Sequence, residues 1–80
     1  MTLEQLICMK NTGTKLIVTE MDIKTLEQHR IFEGYETNLC DDLNPEFEAF
    51  CEIHKGREII NFSAVMDRNG IPSINVLVYA

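Results

Sequence analysis

The stretch INFSAVMDRNGIPSINVLV, residues 60–78, decides the fold, because it holds two alternating apolar runs separated by a turn. Every second residue is apolar on both sides of the turn: Ile60, Phe62, Ala64 and Met66 before it, and Ile74, Val76 and Val78 after it. This alternation is typical of strands that bury one face of a sheet. The sequence therefore predicts a C-terminal β-hairpin.

The turn residues predict the register of this hairpin. A three-residue loop, Arg68 to Gly70, places both apolar sets on one face, whereas a loop one residue shorter or longer opposes apolar with polar positions. The predicted pairs are Met66 with Pro72, Ala64 with Ile74, Phe62 with Val76, and Ile60 with Val78. Asp67 before the loop and a left-handed Gly70 are typical of a type I turn with a G1 bulge.

Residues 45–55 carry the clearest helix signals in the chain. Asn44 is a preferred N-cap, and Pro45 suits the first helical position, where its missing N–H costs nothing. Phe47 and Phe50 lie on one stripe of this helix, so we expect them in the core. A second, short helix is predicted near the N-terminus, where Thr2 and Gln5 fit a capping box.

Two further segments complete the prediction. The run KLIVT, residues 15–19, is β-branched and apolar and indicates an internal strand. Residues 22–32 favour a helix capped by Asp22, although alternation over residues 26–35 also fits a strand paired with residues 15–19. Together these elements predict one domain over residues 1–80 of class α+β, with a small antiparallel sheet covered by the two capped helices.

The net charge of −6 is confined to one third of the chain. Residues 33–58 contain eight acidic and two basic side chains, and the remaining residues are balanced. A chain with this charge lacks the basic footprint that binds phosphates, so direct nucleic-acid binding is not expected. A concentrated acidic segment attracts basic partners and raises their association rate, but it also fits a solubilising face.

We therefore predict a non-enzymatic protein-interaction module, an inhibitor or adaptor that docks on a basic surface of a larger, nucleic-acid-processing protein. An exposed tyrosine among acids is a common interface anchor, so Tyr35 joins the acidic side chains in this prediction. The predicted partner-binding residues are Glu33, Tyr35, Glu36, Asp41, Asp42, Glu46, Glu48 and Glu52.

Two alternatives belong to other classes of protein. In a structural homo-oligomer, such as a dimer, sheet edges or faces would assemble and the acids would be solubilising; the terminal strand could pair with its own copy if it lay at an edge. In a small thiol enzyme or ligand-binding protein, Cys51 and His54 would meet one helical turn apart. Because no complete ligand set or catalytic motif accompanies this pair, we expect no metal, no cofactor and no catalytic residue.

The cysteines and the apolar runs bear on localisation. Cys8, Cys40 and Cys51 make an odd number, unlike the even disulfide frameworks of small secreted domains. Residues 1–10 lack the pattern of a signal peptide, and no apolar run is long enough for a membrane span. We expect a cytoplasmic protein with three free thiols and no membrane association.

Overall fold

The structure, a computed structural model, describes residues 1–10, 13–37, 42–66 and 68–80. Two helices and four strands follow one another along the chain: α1 (Leu3–Met9), β1 (Lys15–Met21), β2 (Gln28–Gly34), α2 (Pro45–His54), β3 (Ile59–Met66) and β4 (Pro72–Tyr79). The predicted α+β class is confirmed, including the C-terminal hairpin and the short N-terminal helix.

The four strands form one sheet in the order β2-β1-β4-β3. The pairing of β3 with β4 is antiparallel, as predicted, and the pairing of β1 with β2 is also antiparallel, which matches the alternative to the favoured helix over residues 22–32. The central pairing of β1 with β4 is parallel, so the sheet is mixed and not antiparallel throughout as predicted. This arrangement has a physical reason, because β1 and β4 are the most continuously apolar strands and a central position covers both of their edges.

The predicted register of the C-terminal hairpin is correct over most of its length. Phe62 pairs with Val76, Ala64 with Ile74 and Met66 with Pro72. Val78 pairs with Ile59 instead of the predicted Ile60, because the register shifts between Ile59 and Asn61. Gly70 has the predicted left-handed conformation, with φ of 75°. The prediction for Asp67 lies outside the described residues.

The predicted helix over residues 22–32 is wrong, and the rival strand forms instead. Asp22 does not cap a helix; its carboxylate accepts a hydrogen bond from the Lys24 N–H at 2.9 Å, which closes a turn between β1 and β2. The Asp22 N–H donates to the Glu27 carbonyl at 3.0 Å, and Leu26 takes a left-handed φ of 61°. This compact turn lets β2 pair back onto β1, which would otherwise be an apolar edge strand.

Both capped helix starts are confirmed. The Thr2 hydroxyl accepts from the Gln5 N–H at 3.3 Å, and the Gln5 side chain accepts from the Thr2 N–H at 2.9 Å. The Asn44 side chain accepts from the Glu46 N–H at 3.1 Å, with Pro45 as the first residue of α2. The helix ends at His54, one residue before the predicted end.

Both helices cover the same face of the sheet. The buried apolar residues form one cluster between helices and sheet: Leu3, Leu6, Leu16, Val18, Phe47, Phe50, Val76 and Val78. The Phe32 ring of β2 lies 4.7 Å from Phe50 and 5.8 Å from Phe47, so α2 lies over the β2 side of the sheet. Phe47 and Phe50 are therefore core residues, as predicted.

Arg57 ties the end of α2 to the two central strands. Its guanidinium lies 2.9 Å from the Glu20 carboxylate of β1 and donates to the Tyr79 carbonyl of β4. Its backbone carbonyl accepts from the Leu3 N–H at 2.8 Å, which also fixes the start of α1. One residue thus joins the helix layer to the carboxyl ends of β1 and β4.

Candidate functional site

The outward side of α2 carries the acidic surface. Glu46, Glu48 and Glu52 are all exposed, and Glu48 and Glu52 lie on the side of the helix that faces away from Phe47 and Phe50. Asp42, just before the helix, is also exposed. Among the described residues, no cation lies within ion-pairing distance of these four carboxylates. We call Asp42, Glu46, Glu48 and Glu52 the acidic face.

An exposed apolar side chain lies on the same helix as the acidic face. Ile53 is 75% exposed, and it follows Glu52 near the end of α2. An exposed isoleucine on a helix that has already buried two phenylalanines contributes nothing to the core, whereas apolar residues ringed by polar ones are common in protein interfaces. Ile53 is not among the residues predicted for partner binding, although its position off the stripe of Phe47, Phe50, Cys51 and His54 is visible in the sequence.

A cleft of about 630 Å³ adjoins the first turn of α2. It brings together Glu33, Tyr35 and Glu46, three of the residues predicted for partner binding, and its other walls are formed by Gly13, Gly34, Thr37 and Asn44. The cleft is positioned by Asn44, whose side-chain amide donates to the Tyr35 carbonyl at 3.0 Å. Because Glu46 belongs to both, the cleft continues the acidic face.

The structure places two of the predicted acids in ion pairs within the protein. The Glu33 carboxylate on β2 lies 2.6 Å from Arg30 and 3.5 Å from Lys15. The Glu36 carboxylate lies 3.5 Å from the Lys10 ammonium, whose side chain has no exposed surface. These two acids therefore add less to the external field than the acidic face does. Asp41 lies outside the described residues.

Cys51 and His54 sit on the inward side of α2 with separate neighbours. The His54 ring lies 4.7 Å from the Phe50 ring, and its Nδ1 atom is 3.3 Å from the Arg57 guanidinium. Burial raises the pKa of the half-buried Cys51 thiol; the Glu36 and Glu4 carboxylates add to this shift, and Lys10 opposes it. An activated nucleophile needs the opposite shift, toward a stable thiolate.

We expect Cys51 to react slowly with thiol reagents. Two variants that each keep one cysteine allow the comparison: Cys8→Ser/Cys40→Ser keeps Cys51, and Cys40→Ser/Cys51→Ser keeps Cys8. Near neutral pH Cys51 should react at least about tenfold more slowly than Cys8, because the thiolate is the reactive form. Rates against pH measure this difference. Because burial raises the pKa of the Cys51 thiol in the folded protein, the free energy of unfolding should fall as the pH rises above the ordinary pKa of a free thiol. A faster rate at Cys51 would instead favour the thiol-enzyme alternative.

Within the described ranges, no group of three or more His, Cys, Asp or Glu side chains is arranged to hold a metal ion. None of the helices in that part of the chain has the length and apolar character needed to cross a bilayer.

Comparison of this chain with protein families, with curated proteins and with solved structures finds no match.

Proposed function

We propose that the protein is a non-enzymatic interaction module whose acidic face docks on a basic surface of a larger protein. The observation that carries this proposal is the set of four exposed carboxylates without a cation partner among the described residues. Carboxylates that are not neutralised within the protein keep their full attraction for an external cation, and this attraction raises the association rate.

The geometry of α2 supports docking as a helix. Glu48 and Glu52 lie one turn apart, with Cβ atoms about 5–6 Å from each other, so a single basic surface can reach both. Ile53 supplies exposed apolar contact area on the same helix, and the adjoining cleft with Tyr35 can admit a protruding side chain. Arginine fits this combination best, since it pairs with carboxylates in a fork and stacks on aromatic rings.

The nature of the partner follows from the charge. Proteins that process nucleic acids carry clustered arginine and lysine on the surface that binds phosphates. An acidic module that covers such a surface would act as an inhibitor, and one that binds beside it would act as an adaptor. We propose the inhibitor or adaptor role within the cytoplasm.

The test is a charge-neutralised variant, Glu48→Gln/Glu52→Gln, used with native host extract at low and moderate salt. A basic partner captured by the unmodified protein should be lost, and with the purified partner its Kd should rise at least about tenfold, equivalent to about 1.4 kcal/mol. Glu48 lies near the start of α2 and Glu52 near its end, so the effects of their neutralisation on the helix dipole oppose each other. Circular dichroism verifies that the variant is folded.

The matched control is Glu4→Gln/Glu27→Gln, which removes the same charge from exposed positions outside α2. Its Kd for the purified partner should equal that of the unmodified protein, and higher salt should weaken binding of both proteins. A partner that binds Glu48→Gln/Glu52→Gln with unchanged affinity would show that the acidic face is not the interface.

A further inference from the structure

Strand β3 is an edge of the sheet that only its start protects, where the Ile59 N–H donates to the Met1 carbonyl at 3.0 Å and Thr2 forms a bridge with Glu58. Its eight residues, IINFSAVM, contain no charged side chain and no proline, and among the described strands only β4 pairs with it. The opposite edge, β2, carries His29, Arg30 and Glu33. Charges on an edge strand prevent pairing with other chains. The protein therefore protects one edge of its sheet and leaves the other suited to pairing.

The side chains of β3 form an exposed apolar surface. Phe62 is 45% exposed, Val65 44% and Met66 70%, although Phe62 and Met66 lie on the same face of the sheet as the buried core. Met9, at the end of α1, is 69% exposed and borders the same surface. Between α1 and the hairpin lies a cleft of about 460 Å³, lined by Met9, Ala64, Met66 and Ile74 among others. In the described part of the chain, neither helix buries Phe62 or Met66.

The backbone of β3 presents hydrogen-bonding groups outward at alternate residues. The Phe62 N–H donates to the side-chain oxygen of Asn61 at 2.8 Å, so it does not serve the ladder with β4. Met66 is paired with Pro72, which has no N–H to donate to it. Because the ladder alternates with period two, the N–H and C=O groups of Phe62, Ala64 and Met66 point away from β4.

We propose that β3 pairs with β3 of a second copy in an antiparallel, two-fold symmetric dimer centred on Ala64. In this register each Ala64 exchanges two backbone hydrogen bonds with its copy, and Phe62 of one chain lies opposite Met66 of the other. An aromatic ring against a thioether is a favourable cross-strand pair. When the dimer forms, the Phe62 N–H gives up its hydrogen bond to the Asn61 side chain and donates to the backbone of the second copy instead.

The residues of β3 fit a second copy as the occupant of this edge, because Phe62 and Met66 lie symmetrically about Ala64 and become partners under two-fold symmetry. Two chains of charge −6 repel each other, so a neutral contact surface that keeps their acids apart is the least costly one. β3 is neutral, and it lies at the opposite edge of the sheet from β2, over which α2 and the acidic face are placed. A dimer through β3 therefore joins two neutral strands and leaves both acidic faces free at its far ends.

The small size of the core also favours association with a second copy. In the described chain eight apolar residues are buried, while ten large apolar residues are exposed. Small domains with limited cores often gain stability by oligomerisation. Because the paired surface is small, we expect a dimer with a Kd in the micromolar range or weaker.

Sedimentation equilibrium of the full chain tests this proposal from about 10 µM to about 1 mM, the range in which small interfaces associate. The average mass should rise from 9.2 kDa toward twice that value. Ala64→Lys places like charges opposite each other and should raise the Kd at least about tenfold. The control Gln28→Lys adds the same charge at the β2 edge and should leave the Kd unchanged. An unmodified protein that stays at the monomer mass, or a folded Ala64→Lys variant that dimerises equally well, would overturn the proposal.

Hydrogen exchange provides a second readout that does not depend on a mutation. The amide protons of Ala64 and Met66 should gain protection as the protein concentration rises, because only the dimer engages them. N-methylation of Ala64, introduced by ligation of a synthetic segment at Cys51, removes one outward donor without adding charge and should weaken the dimer. Association without added protection at Ala64 and Met66 would place the interface elsewhere and refute β3 pairing.

Discussion

Replacing Phe50 with alanine is expected to lower the free energy of unfolding by about 3–5 kcal/mol, the usual cost of truncating a buried phenylalanine. Phe50 is 7% exposed and lies 4.7 Å from the rings of both Phe32 and His54. Its loss therefore removes contacts between α2 and β2 as well as its own burial. A domain of this size has about 5 kcal/mol to lose, so much of the variant should be unfolded.

The matched control for Phe50→Ala is Ile53→Ala, three residues along the same helix. Ile53 is 75% exposed, so its truncation should change stability by less than about 0.5 kcal/mol. Urea denaturation followed by circular dichroism measures both variants, since the chain has no tryptophan for a fluorescence signal. Equal losses from the two substitutions would mean that α2 is not oriented with Phe50 inward.

The contrast between α2 and β2 shows which parts of the fold the sequence can predict. The start of α2 depends on Asn44 and Pro45, whose effects are local, and the hairpin of β3 and β4 depends on alternation and a turn within 20 residues. The sequence predicts a helix in place of β2, because the local signals favour a cap at Asp22. What decides its structure is the pairing of Val18 with Phe32 and the packing of Phe32 on Phe50, contacts with residues outside the segment 22–32 itself.

The parallel pairing of β1 with β4 could not be predicted for the same reason. Lys15 pairs with Ser73 and Met21 with Tyr79, so this ladder joins opposite ends of the chain. No turn fixes its register, which arises only when α2 returns the chain across the sheet. The edge position of β3 follows from this pairing. The sequence therefore left the terminal strand as the candidate edge, whereas the structure makes it central.

The candidate site was predictable in position but not in detail. The charge count located the acidic segment, and the helical spacing placed Glu48 and Glu52 on the outward side of α2. The sequence alone could not separate the acidic residues that are exposed from those that form ion pairs within the protein. Glu36 is paired with Lys10, which lies 26 residues away in the sequence, and only the tertiary structure brings these two together.

Glu36→Gln is expected to cost about 2–3 kcal/mol of stability, although Glu36 belongs to the acidic segment. Its carboxylate lies 3.5 Å from the ammonium of Lys10, whose side chain has no exposed surface and lies 5.7 Å from the centre of the Phe47 ring. Removing the Glu36 charge leaves the buried Lys10 ammonium with less electrostatic stabilisation. Removing one partner of a buried ion pair costs more stability than replacing both partners. Urea denaturation measures the loss, with Glu52→Gln as an exposed control that should change stability by less than about 0.5 kcal/mol.

A double-mutant cycle separates the ion pair from other effects of these substitutions. Lys10→Met/Glu36→Gln should be more stable than the sum of the single losses implies, by about 1 kcal/mol or more, because it leaves no buried charge uncompensated. Additive losses would show that the two side chains do not interact.

Glu36 also differs from the acidic face in its expected effect on binding. The folded fraction of Glu36→Gln should bind the basic partner with nearly unchanged affinity, whereas Glu48→Gln/Glu52→Gln should be stable and bind weakly. Opposite effects of these two variants on stability and affinity distinguish an acidic residue that stabilises the fold from acidic residues that bind a partner.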